Sequence, residues 1–307
     1  MHIGLVGLGK MGLNLALNLQ EHGHIVTAYD AFPGAQQAYI EQGGQVVASL
    51  EALVQSLPTP RVLWLMVPAG DPVDQVLDTL FPLLAPQDIV IDGGNSHYKD
   101  SIRRAQALHT NELHYIDVGT SGGMEGARLG ACYMIGGDET IFSSIEPLFR
   151  DSSVDGGYLY TGPVGSGHYA KMVHNGIEYG MMAAIGEGFE ILSKSPYAFD
   201  YAKLADVWSH GSVIRGWLME LTAEAFHADP QLTKLKSVIG SSGEGKWTVE
   251  EALALGVSSP ITALALFARY QSQETDHFSG KVVSALRKGF GGHAVTESSE
   301  ASEDSSN

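Results

Sequence analysis

The sequence predicts an α/β domain followed by an all-α domain. Three observations carry this. Apolar strand-like runs alternate with helical or loop segments up to about residue 163, a glycine-rich turn joins the first run to a helix, and only helical patterns follow Gly165. The strand-like runs are His2–Val6, Ile25–Tyr29, Val62–Val67, Ile89–Asp92, Tyr115–Val118, Tyr133–Ile135 and Tyr158–Tyr160. The later helices are expected at Ser166–Ser193, Ala202–His210, Val213–Ala225, Val249–Leu255, Pro260–Gln273 and Gly280–Lys288. The expected division is residues 1–163, 164–295 and a disordered acidic tail at 296–307. The tail is mostly Ser, Glu and Asp and has almost nothing to bury.

The turn after the first run reads Gly7-Leu8-Gly9-Lys10-Met11-Gly12, and a helical run from about Asn14 to Glu21 follows it. This is G-x-G-x-x-G between a strand and a helix. The second strand then ends at Asp30, 18 positions after the last glycine. The first glycine permits the tight turn, the second lets a pyrophosphate approach the backbone, and the third lets helix and strand pack closely. The helix start offers free N–H groups to phosphates. The expectation is a Rossmann-like dinucleotide-binding domain. Further loops fall where such a sheet holds its ligand: Met66-Val67-Pro68-Ala69-Gly70, Asp92-Gly93-Gly94-Asn95-Ser96 and Thr120-Ser121-Gly122-Gly123. Asp30 faces the adenosine ribose in this reading. Its charge favours NAD and disfavours NADP, and Ala31 and Phe32 bring no compensating cation.

Composition narrows the class. A chain of 307 residues, 44% hydrophobic, is long enough for a large core in two domains. No run of 18 apolar residues suggests a membrane span, and the start resembles a strand rather than a signal peptide. Cys132 is the only cysteine, which suits a reducing cytoplasm. The formal charge of −17 opposes binding to nucleic acid or anionic lipid. The 12 histidines show no metal-ligand spacing, so no metal is expected.

The stretch from Lys171 to Gly180, KMVHNGIEYG, carries the chemistry. On a helix, Lys171, His174, Asn175 and Glu178 share one face, bordered by Tyr179. A base, an acid and several hydrogen-bond groups then project to one place. The same spacing also fits a solvated stripe, but a His-Asn pair flanked by apolar residues suits a pocket wall better. Met172, Ile177, Met181, Met182, Ala183 and Ile185 read as core.

GLGKMG, DGGNS, TSGGMEGA, KMVHNGIEYG, SGEGKWT, FAR and RKGFGGH together resemble the decarboxylating 6-phosphogluconate dehydrogenases, in their shorter bacterial form. The resemblance covers residues 1 to about 295. It implies oxidation and decarboxylation of a sugar phosphate to ribulose 5-phosphate in the pentose phosphate pathway, without a metal. It implies Lys171 as general base and Glu178 as general acid. It implies substrate contacts by Asn95, Ser121, Gly122, Gly123, His174, Asn175, Tyr179 and Arg269. It also implies a homodimer or homotetramer with shared sites, in which Arg287 and His293 come from a neighbour; the last helix is expected to end near Lys288, and Gly289-Phe290-Gly291-Gly292 reads as a flexible arm able to reach across. The wider β-hydroxyacid dehydrogenases and a noncatalytic dinucleotide-binding module are the alternatives. Two departures stand out. Ser242 replaces a lysine common in the long form, with Lys246 nearby at a different motif position, and Asp30-Ala31-Phe32 replaces the Asn-Arg-Thr run of NADP-using relatives.

Overall fold

Strands β1 (His2–Val6) and β2 (Ile25–Tyr29) flank α1 (Lys10–Glu21), as the alternation requires. The computed structural model describes residues 1–291, 294 and 296. The chain continues through α2 (Pro33–Ile40), β3 (Gln45–Val46), α3 (Leu50–Ser56), β4 (Val62–Leu65), α4 (Asp71–Leu80), β5 (Ile89–Asp92) and α5 (Tyr98–His109). Next come β6 (His114–Ser121), α6 (Gly123–Leu129), β7 (Ala131–Gly136), α7 (Glu139–Ser152) and β8 (Ser153–Gly162). The remainder is helical: α8 (Ser166–Lys194), α9 (Tyr201–Ser209), α10 (Trp217–Ala228), α11 (Gly243–Leu255), α12 (Pro260–Ser272) and α13 (Phe278–Gly291).

One sheet holds the strands in the order β3-β2-β1-β4-β5-β6-β7-β8. Its first six strands are parallel, β7 runs antiparallel to β6, and β8 is parallel to β7. The order reverses between β1 and β4. That is the switch point beyond whose strand ends such sheets take ligands. Helices cover both faces, so strands such as Val62–Leu65 are buried throughout. Trp64 is fully buried against Tyr133 and Phe149. Truncating an aromatic of this kind typically costs roughly 3–5 kcal/mol.

The chain forms two compact units, one of residues 1–184 with 242–262, the other of 185–241 with the described residues from 263 on. In the second, Phe189, Ala205, Met219 and Phe226 form a separate apolar core.

Several boundaries differ from the sequence reading. Helix α1 starts at Lys10 rather than near Asn14, because the glycine turn leads straight into it. Strand β4 ends at Leu65, and the two-residue β3 carries too little pattern to be read. Helix α11 starts at Gly243, so SGEGKW begins a helix instead of preceding one. Helix α13 runs through Gly291, so the arm expected at Gly289–Gly292 is helical as far as it is described. Ile177 and Met181, expected in the core, are 59% and 51% exposed, since no described element covers their side of α8.

Candidate active site

The glycine turn is held from the end of β2. The buried Asp30 carboxylate accepts the Leu8 N–H at 2.6 Å and the Phe32 N–H at 2.7 Å. Gly7 turns at φ 99°, and a Cβ on Gly12 would collide with the Gly7 carbonyl, so only glycine lets α1 begin this close. Gly9 occupies the N-cap of α1 and supplies no side-chain acceptor. The N–H groups at Lys10, Met11 and Gly12 therefore lack an intrahelical partner, and a Cβ on Gly9 would meet nothing within 4 Å. This donor set fits the pyrophosphate of a dinucleotide.

The loops after β4 and β5 adjoin the turn. Met66 donates its N–H to the Val6 carbonyl at 2.7 Å, and Gly93 to the Leu65 carbonyl at 2.9 Å. Val67 and Ala69 are half-buried and Pro68 is exposed. The buried Asp92 organises the second loop, accepting from Tyr115 Oη (2.6 Å), Ser96 Oγ (2.7 Å) and Gly94 N–H (3.0 Å). Asn95 stands at φ 54° and bonds Thr120 with both ends of its amide: Nδ2 donates to the carbonyl at 3.2 Å, and Oδ1 accepts the N–H at 2.9 Å. The loop is thereby stitched to the end of β6.

Strand β6 delivers the site to α8. A Cβ on Gly167 would lie 2.5 Å from the carbonyl oxygens of Asp117 and Met134, and one on Gly119 would strike Lys171. These glycines let the first turns of α8 lie directly on the sheet. The buried Asp117 accepts the Gly165 and His168 N–H groups at 2.7 and 2.9 Å, satisfying donors at the helix start. Lys171 then lands beside the end of β6.

Lys171 is only 5% exposed, and its amine takes part in no hydrogen bond or ion pair among the described residues. Burial pushes its pKa below the ordinary lysine value, while the charges of Glu178, Glu244 and Cys132 act in the opposite sense. One turn on, His174 Nε2 lies 3.3 Å from Ser121 Oγ, and its Nδ1 lies 2.9 Å from Asn175 Oδ1 and 3.9 Å from Glu178 Oε2. Ser121, Asn175 and Glu178 thus lie around His174, with Lys171 one turn earlier on the same helix. Gly122, at φ 115°, caps α6, and Gly123 begins it.

Tyr179 is buried, and its hydroxyl accepts the Ser242 N–H at 2.9 Å and lies 3.0 Å from Ser242 Oγ. The residue that departs from the long form therefore abuts a candidate substrate contact. Thr248 Oγ1 donates to the Met172 carbonyl at 2.6 Å, joining α11 to α8. Lys246 pairs with Glu250 at 3.5 Å. Arg269 and Arg287 belong to the second unit. Arg269 Nη1 donates to the Gly240 carbonyl at 2.7 Å, and Arg287 is exposed on α13. His293 lies outside the described residues. No group of His, Cys, Asp and Glu suited to a metal occurs among the described residues, and no described helix is long and apolar enough to cross a membrane.

Three contributors escaped the sequence reading: Arg104 beneath the loops, Asp117 at the start of α8, and Glu244 near Lys171. Arg104 and Asp117 sit in no recognisable spacing, and Glu244 lies within SGEGKWT, where nothing in the motif points to Lys171.

The fold and this site define a Rossmann-type oxidoreductase. The NAD binding domain of 6-phosphogluconate dehydrogenase matches residues 2–161, and the 6-phosphogluconate dehydrogenase C-terminal domain matches residues 167–304. The chain is 54% identical over 295 residues to the Bacillus subtilis protein YqeC, covering 96% of this chain and 99% of YqeC. It is 42% identical over 298 residues to the NAD(+)-dependent, decarboxylating 6-phosphogluconate dehydrogenase of Haloferax volcanii, covering 96% and 98% of the two chains. The Plasmodium falciparum 6-phosphogluconate dehydrogenase, solved in apo form and in complexes with NADP+ and with 6-phosphogluconate, superposes with a TM-score of 0.82 at 29% identity. That match covers 97% of this chain and 67% of the parasite chain. The chain belongs to the 6-phosphogluconate dehydrogenase family.

Proposed function

We propose that this protein oxidatively decarboxylates 6-phosphogluconate to ribulose 5-phosphate and CO2, with NAD as acceptor, Lys171 as general base and Glu178 as general acid. The observation that carries this reading is Lys171: a buried lysine of lowered pKa, free of partners among the described residues, in the same unit as the glycine turn. Bound NAD supplies a hydride acceptor. The neutral Lys171 amine takes the proton of the substrate's C3 hydroxyl as hydride leaves C3. The product is a β-keto acid. Protonated Lys171 then hydrogen-bonds the new ketone oxygen, which draws in the electron pair left as CO2 departs. Glu178 protonates C1 of the resulting enediol. Ser121, His174 and Asn175 offer donors and acceptors to the substrate's hydroxyls and carboxylate.

Asp30 supports the choice of NAD. Each of its oxygens already accepts one N–H and keeps a lone pair for a ribose hydroxyl. A 2′-phosphate there would face a carboxylate. Unit charges near 4 Å at an effective dielectric of about 20 repel by roughly 4 kcal/mol. Val173, Ile177 and Met181 form an exposed apolar stripe at four-residue spacing on α8, beside the site-bearing face. A second copy covering that stripe accords with a homo-oligomer whose neighbour supplies Arg287 and His293.

The deciding assay follows NADH formation and CO2 release from 6-phosphogluconate and from unphosphorylated 3-hydroxy acids. Stoichiometric NADH and CO2 from the phosphorylated substrate alone are expected. Turnover of only the unphosphorylated acids would refute the reading.

A further inference from the structure

We infer that Arg104, on α5, is a positioning residue that locks the β4 and β5 loops together from below, and so sets the geometry in which the dinucleotide is held. This rests on the reading of those loops as cofactor-binding. Arg104 is 2% exposed, and all five of its N–H donors are used. Nε donates to Asp74 Oδ1 at 2.8 Å, and Nη2 donates to Asp74 Oδ2 at 3.3 Å and to the Gly70 carbonyl at 3.0 Å. Nη1 donates to Ser96 Oγ at 2.9 Å and to Asp92 Oδ2 at 3.3 Å. Gly70 and Asp74 end the β4 loop and begin α4. Asp92 and Ser96 bracket the β5 loop that carries Asn95. One guanidinium therefore fixes both loops, and Asn95 passes the constraint to Thr120 at the end of β6.

The two loops also touch directly: a Cβ on Gly94 would lie 2.5 Å from the Val67 carbonyl oxygen. A small tilt of either loop is thus transmitted to the other. A lysine at 104 keeps the charge that Asp92 needs but has three donors and no planar fork. It can neutralise the network without holding both loops.

The test is Arg104→Lys, with Ser96→Ala as a milder variant that removes one of the two Arg104 contacts with the β5 loop, together with the Ser96–Asp92 hydrogen bond. Dissociation constants for NADH are read from its fluorescence without substrate. The primary isotope effect on turnover is then read with substrate deuterated at C3. Arg104→Lys is expected to fold, to bind NADH on the order of tenfold more weakly, a difference of about 1.4 kcal/mol, and to show a larger isotope effect as the hydride step slows. Ser96→Ala is expected to change both in the same direction by less. Lower thermal stability with wild-type NADH affinity and isotope effect in both variants would overturn the inference and reduce Arg104 to a structural ion pair. Failure of the wild-type chain to bind any dinucleotide would instead remove the parent reading, and this one with it.

Discussion

Lys171 concentrates the chemistry because burial and its acidic neighbours pull on its charge in opposite ways. Burial favours the neutral amine that a base requires, and Glu178 and Glu244 favour the ammonium. Lys171→Met should lower turnover by at least about 10⁴-fold, the upper end for one proton-transfer group, since two steps lose it, while NADH binding persists. The same variant should be more stable than wild type at pH 7. The folded pKa lies below the unfolded one, so the ammonium costs stability at low pH. That cost fades as pH rises from the lowered folded value and is gone above the unfolded value of about 10.4. Thermal melts at pH 7 and above 10 check this: the stability gain should shrink at the higher pH. Glu178→Gln should slow turnover on the order of 10²-fold through loss of the acid. Glu244→Gln leaves the acid in place but removes a charge that raises the Lys171 pKa. The acid limb of kcat/KM should therefore move to lower pH, and a shift to higher pH would contradict the assigned base.

At the scale of elements, the site depends on how closely α8 approaches β6 and β7. Gly167→Ala places a methyl 2.5 Å from two carbonyl oxygens, so the helix start must move away. Overpacking of this kind costs about 1–3 kcal/mol, and the shift should also displace Lys171. Chemical denaturation and kcat, measured together, should both fall. A variant with reduced stability and unchanged kcat would show that the approach of α8 does not set the position of Lys171. The glycine turn is the second decisive element. Asp30→Asn combined with Ala31→Arg should raise kcat/KM for NADP relative to NAD by tenfold or more, about 1.4 kcal/mol. Wild-type preference for NADP, or an unmoved ratio in the double variant, would show that Asp30 does not choose the cofactor. Because Asp30 also holds Leu8 and Phe32, the double variant should lose some stability as well.

For the whole molecule, the exposed stripe Val173, Ile177 and Met181 and the exposed Arg287 bear on assembly. If neighbouring chains complete each other's sites, mixing inactive Lys171→Ala chains with inactive Arg287→Ala chains should restore part of the activity through hybrid sites. Mass photometry would establish that hybrids form, and hybrids without activity would refute the shared site. Ile177→Glu, which places a charge in the stripe, should shift the same measurement toward single chains.

The sequence by itself determined the strand–turn–helix start, the change to all-helical pattern after Gly165, and the shared face of Lys171, His174 and Glu178. Each is a local property: a glycine turn, a period of two or 3.6, a spacing along one helix. Local pattern misplaced the start of α11, the end of α13 and the burial of Ile177 and Met181, because these depend on which elements pack beside them. Tertiary structure alone decided that Asp117 would satisfy the start of α8, that Asn95 would bond Thr120, and that Arg104 would sit beneath two loops. Those pairings join residues 25 to 51 positions apart for Asn95 and Asp117, and 8 to 34 apart for Arg104. A buried arginine on α5 carries no sign in its neighbours of the carboxylates it will meet; only folding brings Asp74 and Asp92 to it, and the low solvent access there then makes the pairing obligatory.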